Sequence, residues 1–219
     1  FLEAAMWKQG YLDTKQMAGA FQLLRSNDLL WSRSMNEYLL GEREPMSDLM
    51  AWNADATRMP ARMHGQYLRH LFLNDDLSEG RYLVHGKPVS LGDIRTPLFC
   101  VGTETDHIAP WRSVYKLHYM TQAEITFVLA SGGHNAGIVS EPGHPRRRYR
   151  ICTSLSGDSY MAPDDWMNAT PIKEGSWWPE WIIWLKSRSG PPGVPRKLGA
   201  AARQYPVLGD APGTYVLQK

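Results

Sequence analysis

Two residues of this chain have the types and the spacing to do chemistry together, Asp106 and His134. A carboxylate and an imidazole are two of the three groups of a nucleophile–His–acid triad, in which the imidazole takes the nucleophile's proton and the acid orients the ring. Each follows a short apolar run by the same interval. Asp106 stands four positions past Gly102, and His134 stands four positions past Ala130.

The elements that must position them read clearly. Leu98–Gly102 is apolar, too short for a helix and preceded by Pro97, as expected of a buried strand. Pro110 opens a segment with Trp111, Val114, Leu117 and Met120 at helical spacing. Ile125–Ala130 is a second buried strand, followed by a glycine-rich loop that carries His134. Strand, helix, strand is a right-handed crossover, so the two strands run parallel and end at one edge of the sheet. Strands lie about 5 Å apart, so loops at neighbouring or next-neighbouring strand ends can bring an acid and an imidazole into contact. In α/β-hydrolases the triad runs nucleophile, acid, His along the chain, and here the acid precedes the His. The expected nucleophile therefore lies upstream of Asp106.

Composition narrows the class. The chain has 219 residues, 43% hydrophobic and 21% charged, with a formal net charge of +2. These are the proportions of an ordinary globular domain, and the charge offers no electrostatic argument for nucleic acid. No apolar run approaches the length of a membrane span and no signal-peptide pattern opens the chain. Cys100 and Cys152 fit neither a disulfide nor a zinc framework, which favours a reducing cytoplasm. The chain opens at Phe1 inside a helical pattern, the expectation for a piece of a longer protein.

Residues 1–78 read as a helical cap. The expected helices are Phe1–Lys8, stopped by Gly10; one capped by Asp13 or Thr14 with Met17, Phe21 and Leu24 on a face; Asn27–Gly41; a short one capped by Ser47 or Asp48 into Trp52; and Ala61–Leu73. Residues 79–188 read as the sheet-forming core. Arg81–Val84 and Val89–Leu91 flank a turn at His85–Pro88, Glu141–Arg150 is a basic loop, and Ile151–Tyr160 is weakly strand-like. Trp178, Trp181, Ile182 and Leu185 form one apolar helical face within Ser176–Leu185. Residues 189–219 are a tail rich in Pro and Gly.

Other residues invite functional readings that their contexts weaken. Cys100 sits mid-strand among Leu98, Phe99 and Val101, without the sharp turn that exposes a nucleophile, and reads as apolar filler; Cys152 has even less context. Asp106, His107, His134 and His144 have no compact metal-ligand spacing. His107 reads as a group beside the site or on the surface. Arg146, Arg147, Arg148 and Arg150 admit two readings, a phosphate contact or a solvated basic loop. Trp177, Trp178, Trp181 and Trp184 admit a subunit- or polymer-facing patch, or a helix packed on the sheet.

Taken together, the segments LLRSNDLLWS (23–32), YLLGE (38–42), WNADATRMP (52–60), YLRHLFL (67–73), DHIAPWRSVYK (106–116), SGGHNAGIVSEPGH (131–144) and GSWWPEW (175–181) resemble the C-terminal part of the polyhydroxyalkanoate synthases. The resemblance implies an α/β class: the C-terminal portion of an α/β-hydrolase fold with a helical cap and an incomplete parallel sheet. It implies acyl transfer from 3-hydroxyacyl-CoA to a growing polyester, with Asp106 as acid and His134 as base, and no cofactor beyond the coenzyme A thioester that is substrate. It also implies a homodimer when full length, at the surface of a cytoplasmic polyester granule. The family's cysteine nucleophile stands in a G-x-C-x-G elbow, and no G-x-C-x-G or G-x-S-x-G occurs in these 219 residues. The expectation is that the nucleophile lies on preceding sequence, that this segment alone is inactive, and that a sheet lacking its first strands leaves an exposed edge and poor solubility. Whether Asp106 orients His134 or assists the substrate hydroxyl stays open. Alternatives are another α/β-hydrolase, an esterase or thioesterase, and a non-catalytic granule-associated domain.

Overall fold

A computed structural model of the chain describes residues 6, 7, 9–13, 31, 35–41, 45, 47–55 and 58–217. They divide into two units, Phe1–Asn74 with Pro195–Lys219, and Asp75–Val194. The helix expected around Met17–Leu24 lies outside the described residues, as do most of Phe1–Lys8 and, within Asn27–Gly41, residues 27–30 and 32–34.

In the first unit, Gly10 takes a positive φ of 82° and donates its N–H to Met6 O, which ends the opening helical turn as expected. Strands β1 (Tyr11–Leu12) and β2 (Met59–Pro60) pair antiparallel. Ser47 caps the helix Asp48–Ala54, its Oγ accepting the Met50 N–H at 3.2 Å. The helix expected over Ala61–Leu73 forms, as α-helix through Tyr67 and as π-helix over Leu68–Leu73. A further π-turn occupies Met35–Leu39.

The second unit opens with a hairpin, β3 (Tyr82–Val84) and β4 (Lys87–Val89). Its turn is tighter than the sequence suggested. His85 and Gly86 both take positive φ, 49° and 76°, the mirror-image turn that matches strand twist.

The main sheet comprises β5 (Leu98–Thr103), β6 (Ile125–Ala130), β7 (Arg148–Ser154) and β8 (Lys173–Glu174), in that spatial order. β5 and β6 are parallel with Leu98 opposite Ile125 and Thr103 opposite Ala130, as the crossover requires. The expected parallel sheet is corrected to a mixed one, because β7 runs antiparallel to β6 and β8 antiparallel to β7. The physical reason is the connection: residues 131–147 stay at one edge of the sheet and contain no helix to carry the chain back across it. β7 also begins earlier than expected, so Arg148 and Arg150 of the presumed basic loop are strand residues. Among the described residues, the outer edge of β5 pairs with no strand.

The core follows strand alternation. Ile125, Phe127 and Leu129 of β6 face one way, with Trp111, Tyr115 and Trp166 buried against them. Val128 and Ala130 face the other way, with Tyr149 and Trp177. All six residues of β6 are buried, which makes it the centre of a helix–sheet–helix sandwich of α/β class. The helical segment after Pro110 is split into Trp111–Tyr115 and Leu117–Met120. A helix not anticipated, Pro163–Ala169, supplies Trp166 to the core; Pro163 in its first turn and the adjacent Asp164 and Asp165 are ordinary helix-start signals. The Trp-rich helix spans Trp178–Lys186. Its expected face packs only in part: Trp178 lies against the Val128 cluster and Trp181 against Trp177. Trp177 is buried and Trp184 packs edge-on to Phe99 at 5.6 Å, whereas Trp181, Ile182 and Leu185 are 41%, 43% and 38% exposed.

Candidate active site

Asp106 and His134 meet where the parallel strands end. His134 Nδ1–H donates to Asp106, 2.9 Å to Oδ2 and 3.1 Å to Oδ1. Asp106 Oδ1 also accepts the backbone N–H groups of Ile108 and Ala109, at 2.8 and 2.9 Å. This is an Asx-type turn that fixes the carboxylate on its own loop. The Asp106 side chain is 8% exposed and that of His134 is 45% exposed. Burial alone would raise the Asp106 carboxyl. The N–H groups of Ala109, His134 and Ile108, with the His134 charge, outweigh it and hold the acid below its ordinary value of 3.8. An ionised Asp106 on Nδ1 leaves Nε2 as the imidazole nitrogen that can take a proton.

Backbone contacts tie the acid's loop to the base's loop. Glu104 N–H donates to Ala130 O at 2.9 Å and Thr105 N–H to Gly132 O at 3.1 Å. Gly137 completes the join. A β-carbon there would fall 2.4 Å from Thr103 Cγ2 and 3.0 Å from Ser131 O, so only glycine lets the His134 loop lie against the end of β5. Ser131 anchors the loop's entrance, its N–H donating to Arg148 O and its Oγ accepting Arg148 N–H. Ser131 and Gly137 lie within the segment SGGHNAGIVSEPGH without a role their types announce, and Thr103 carried no signal beyond its place between strand and acid.

The other candidates are placed elsewhere. Cys100 is in mid-β5, half-buried, and burial pushes its thiol up, away from the thiolate a nucleophile needs. Cys152 is exposed on β7. His107 is exposed; His144 Nδ1–H donates to the neighbouring Pro145 O. Among the described residues no group of three His, Cys, Asp or Glu side chains gathers as a metal site. Three of the four arginines have internal partners: Arg148 pairs with Glu104 at 2.8 Å, Arg150 donates to Thr170 O, and Arg147 lies 3.4 Å from His144 Nε2. Arg150 thereby caps the C-terminal end of Pro163–Ala169. Arg146 is exposed. No helix among the described residues is long and apolar enough to cross a membrane.

Comparison with known proteins finds relatives of this sequence. The chain is 41% identical over 214 residues to poly(3-hydroxyalkanoate) polymerase 2 of Ectopseudomonas oleovorans, a match that covers 97% of this chain and 37% of that protein. The chain is related to one segment of the poly(3-hydroxyalkanoate) polymerases. The polymerase of Methylorubrum extorquens is 40% identical over 218 residues, 100% of this chain and 35% of its own length. Polymerase subunit PhaC of Rhizobium meliloti (strain 1021) is 38% identical over 98% of this chain and 34% of its own. The chain thus spans about a third of the length of the curated polymerases it matches. No family model matches it.

Proposed function

We propose that this chain is the C-terminal portion of a poly(3-hydroxyalkanoate) polymerase of α/β-hydrolase fold and supplies its acid and base. The observation that carries the reading is the Asp106–His134 pair, 2.9 Å apart at the ends of two parallel strands, in a chain 41% identical to such a polymerase. His134 Nε2 takes the proton of a cysteine thiol held on upstream sequence. The thiolate attacks the thioester carbonyl of a 3-hydroxyacyl-CoA, and the C–S bond to coenzyme A breaks. The departing sulfur takes up the proton that His134 holds. The 3-hydroxyl of the next 3-hydroxyacyl-CoA then attacks the enzyme-bound acyl thioester, giving up its proton to a base as the ester bond forms and the C–S bond to the cysteine breaks. The freed cysteine thiolate attacks the thioester of the elongated acyl-CoA in turn, and the coenzyme A sulfur that departs takes the proton from the base. Asp106 keeps His134 in the Nδ1–H tautomer and stabilises the imidazolium, as the orienting acid of a triad does. The whole protein works as a homodimer on a polyester granule in the cytoplasm.

The test joins this segment to the upstream two-thirds of the Ectopseudomonas oleovorans polymerase and measures coenzyme A release together with polymer recovery from 3-hydroxyacyl-CoA. The expected result is polymer from the chimera, no turnover from the segment alone, and loss of both products in His134→Ala. Release of free hydroxy acid without polymer would instead make it a hydrolase. Turnover that survives His134→Ala would leave the pair no catalytic part.

A further inference from the structure

His134 is 45% exposed, so core packing does not set its orientation, and apart from Asp106 the ring is held through its loop backbone. That backbone forms one helical turn: Gly137 N–H donates to Gly133 O, and Ile138 and Val139 N–H both donate to Asn135 O. The carbonyls at the end of such a turn have no partner within it. Here side chains of three consecutive residues satisfy them. Trp177 Nε1–H donates to Gly137 O at 3.2 Å, Trp178 Nε1–H to Ile138 O at 2.9 Å, and Ser176 Oγ–H to Ser140 O.

We propose that Ser176, Trp177 and Trp178 are positioning residues that fix the His134 turn to the sheet and so aim the imidazole at Asp106. Their own placement is firm. Trp177 is 6% exposed and stacks on Phe99 of β5 at 6.2 Å. Ser176 Oγ accepts Trp178 N–H at 3.1 Å, which orders the three donors among themselves. The helix they open is tied to β7 and β8 through Glu180, which accepts from Tyr149 Oη at 3.0 Å and Lys173 Nζ at 2.8 Å. Ser131 holds the turn from its entrance and the three donors hold it from its exit. A turn held at both ends keeps its side chain within the small displacement that proton transfer tolerates.

The same helix contains a built-in control. Trp184 also packs on Phe99, yet its Nε1 is buried with no hydrogen-bond partner among the described residues. Trp→Phe keeps an aromatic ring and removes the N–H, so position 184 reports the cost of trimming an indole, including its 4.4 Å contact with the Arg188 guanidinium, with no hydrogen bond lost. The proposal deepens the functional reading above and rests on it only for activity.

The experiment records the ring nitrogen resonances of His134 in this chain, assigned by their absence in His134→Ala, and reads the share of neutral imidazole protonated on Nδ1. Wild type and Trp184→Phe are expected to show the Nδ1–H tautomer. Trp177→Phe with Trp178→Phe is expected to lose that preference. Ser176→Ala, which keeps both indoles, is expected to shift it the same way by less, and decides the matter should the double variant not fold. In the chimera, the double variant is expected to lower kcat about tenfold or more with KM little changed. An unchanged tautomer in the folded double variant, or in Ser176→Ala when the double variant does not fold, would overturn the proposal. So would an equal change in Trp184→Phe. A tautomer shift beside an inactive wild-type chimera would sink the polymerase reading and leave the positioning role standing.

Discussion

Gly137 lies so close to Thr103 that the loop carrying the base and the strand leading to the acid are in van der Waals contact at a point where no side chain fits. An added β-carbon would be 2.4 Å from Thr103 Cγ2 and 2.9 Å from its Cβ. Gly137→Ala is expected to destabilise the second unit by about 1–3 kcal/mol, the range for overpacking. Urea denaturation measures it, and adding Thr103→Ser, which removes Cγ2, is expected to recover part of the loss. No change in midpoint would show that the loop can move aside.

Acid should weaken the fold through Asp106. Its carboxyl is held below 3.8 in the folded protein, so its contribution is present above the unfolded value and is lost as pH falls through the folded one. The stability difference between wild type and Asp106→Asn should shrink as pH falls below about 4. A difference that grows on acidification would contradict the hydrogen-bonding account.

Alkali should act through Tyr149. Burial, and then the Glu180 carboxylate, push its phenol up to about 12. A raised group contributes stability that is complete below its unfolded value, near 10, and that disappears as pH rises through the folded one. Tyr149→Phe is expected to cost about 1 kcal/mol at neutral pH, one hydrogen bond's worth. Ultraviolet titration should then show one fewer late-ionising tyrosine, leaving Tyr115, which burial likewise raises to about 12.

Core and surface substitutions should separate cleanly. Phe127 is fully buried, its ring 5.2 Å from that of Tyr115 and 5.1 Å from that of Trp166. Phe127→Ala is expected to cost about 3–5 kcal/mol. Arg148→Ala breaks only the half-exposed pair with Glu104 and should cost under about 1 kcal/mol. Thermal melts of both variants check this, and a large loss at Arg148 would mean the ion pair does more than its exposure implies.

What the sequence conveyed and what it hid divide along physical lines. The parallel pair β5–β6 and the meeting of Asp106 with His134 were legible because both rest on local signals, short apolar runs and the fixed hand of a crossover. The direction of β7 was not, since it depends on which way a glycine-rich loop turns, and apolar pattern carries no sign for that. Arg148 and Arg150 look like loop residues until their neighbours Tyr149 and Ile151 are seen to face the core between them. The helical face around Trp181 and Ile182 was read from amphipathicity alone. Hydrogen bonding shifted the packed side toward the helix start, because Trp177 and Trp178 have carbonyls to reach, whereas Trp181 keeps only a ring contact with Trp177 and Ile182 is 43% exposed. The start of Pro163–Ala169 was there to be read in its proline and paired aspartates.

The reversal at β7 decides what the rim of the sheet is made of. Since the chain quits the sheet at Ala130 and re-enters it at Arg148 along one rim, the stretch between is a surface excursion rather than a crossover. Its middle, Glu141 to His144, is a plain turn in which Gly143 has open space around it. Residues added or removed there would alter the rim's outline and leave the anchors at Ser131 and Gly137 in place.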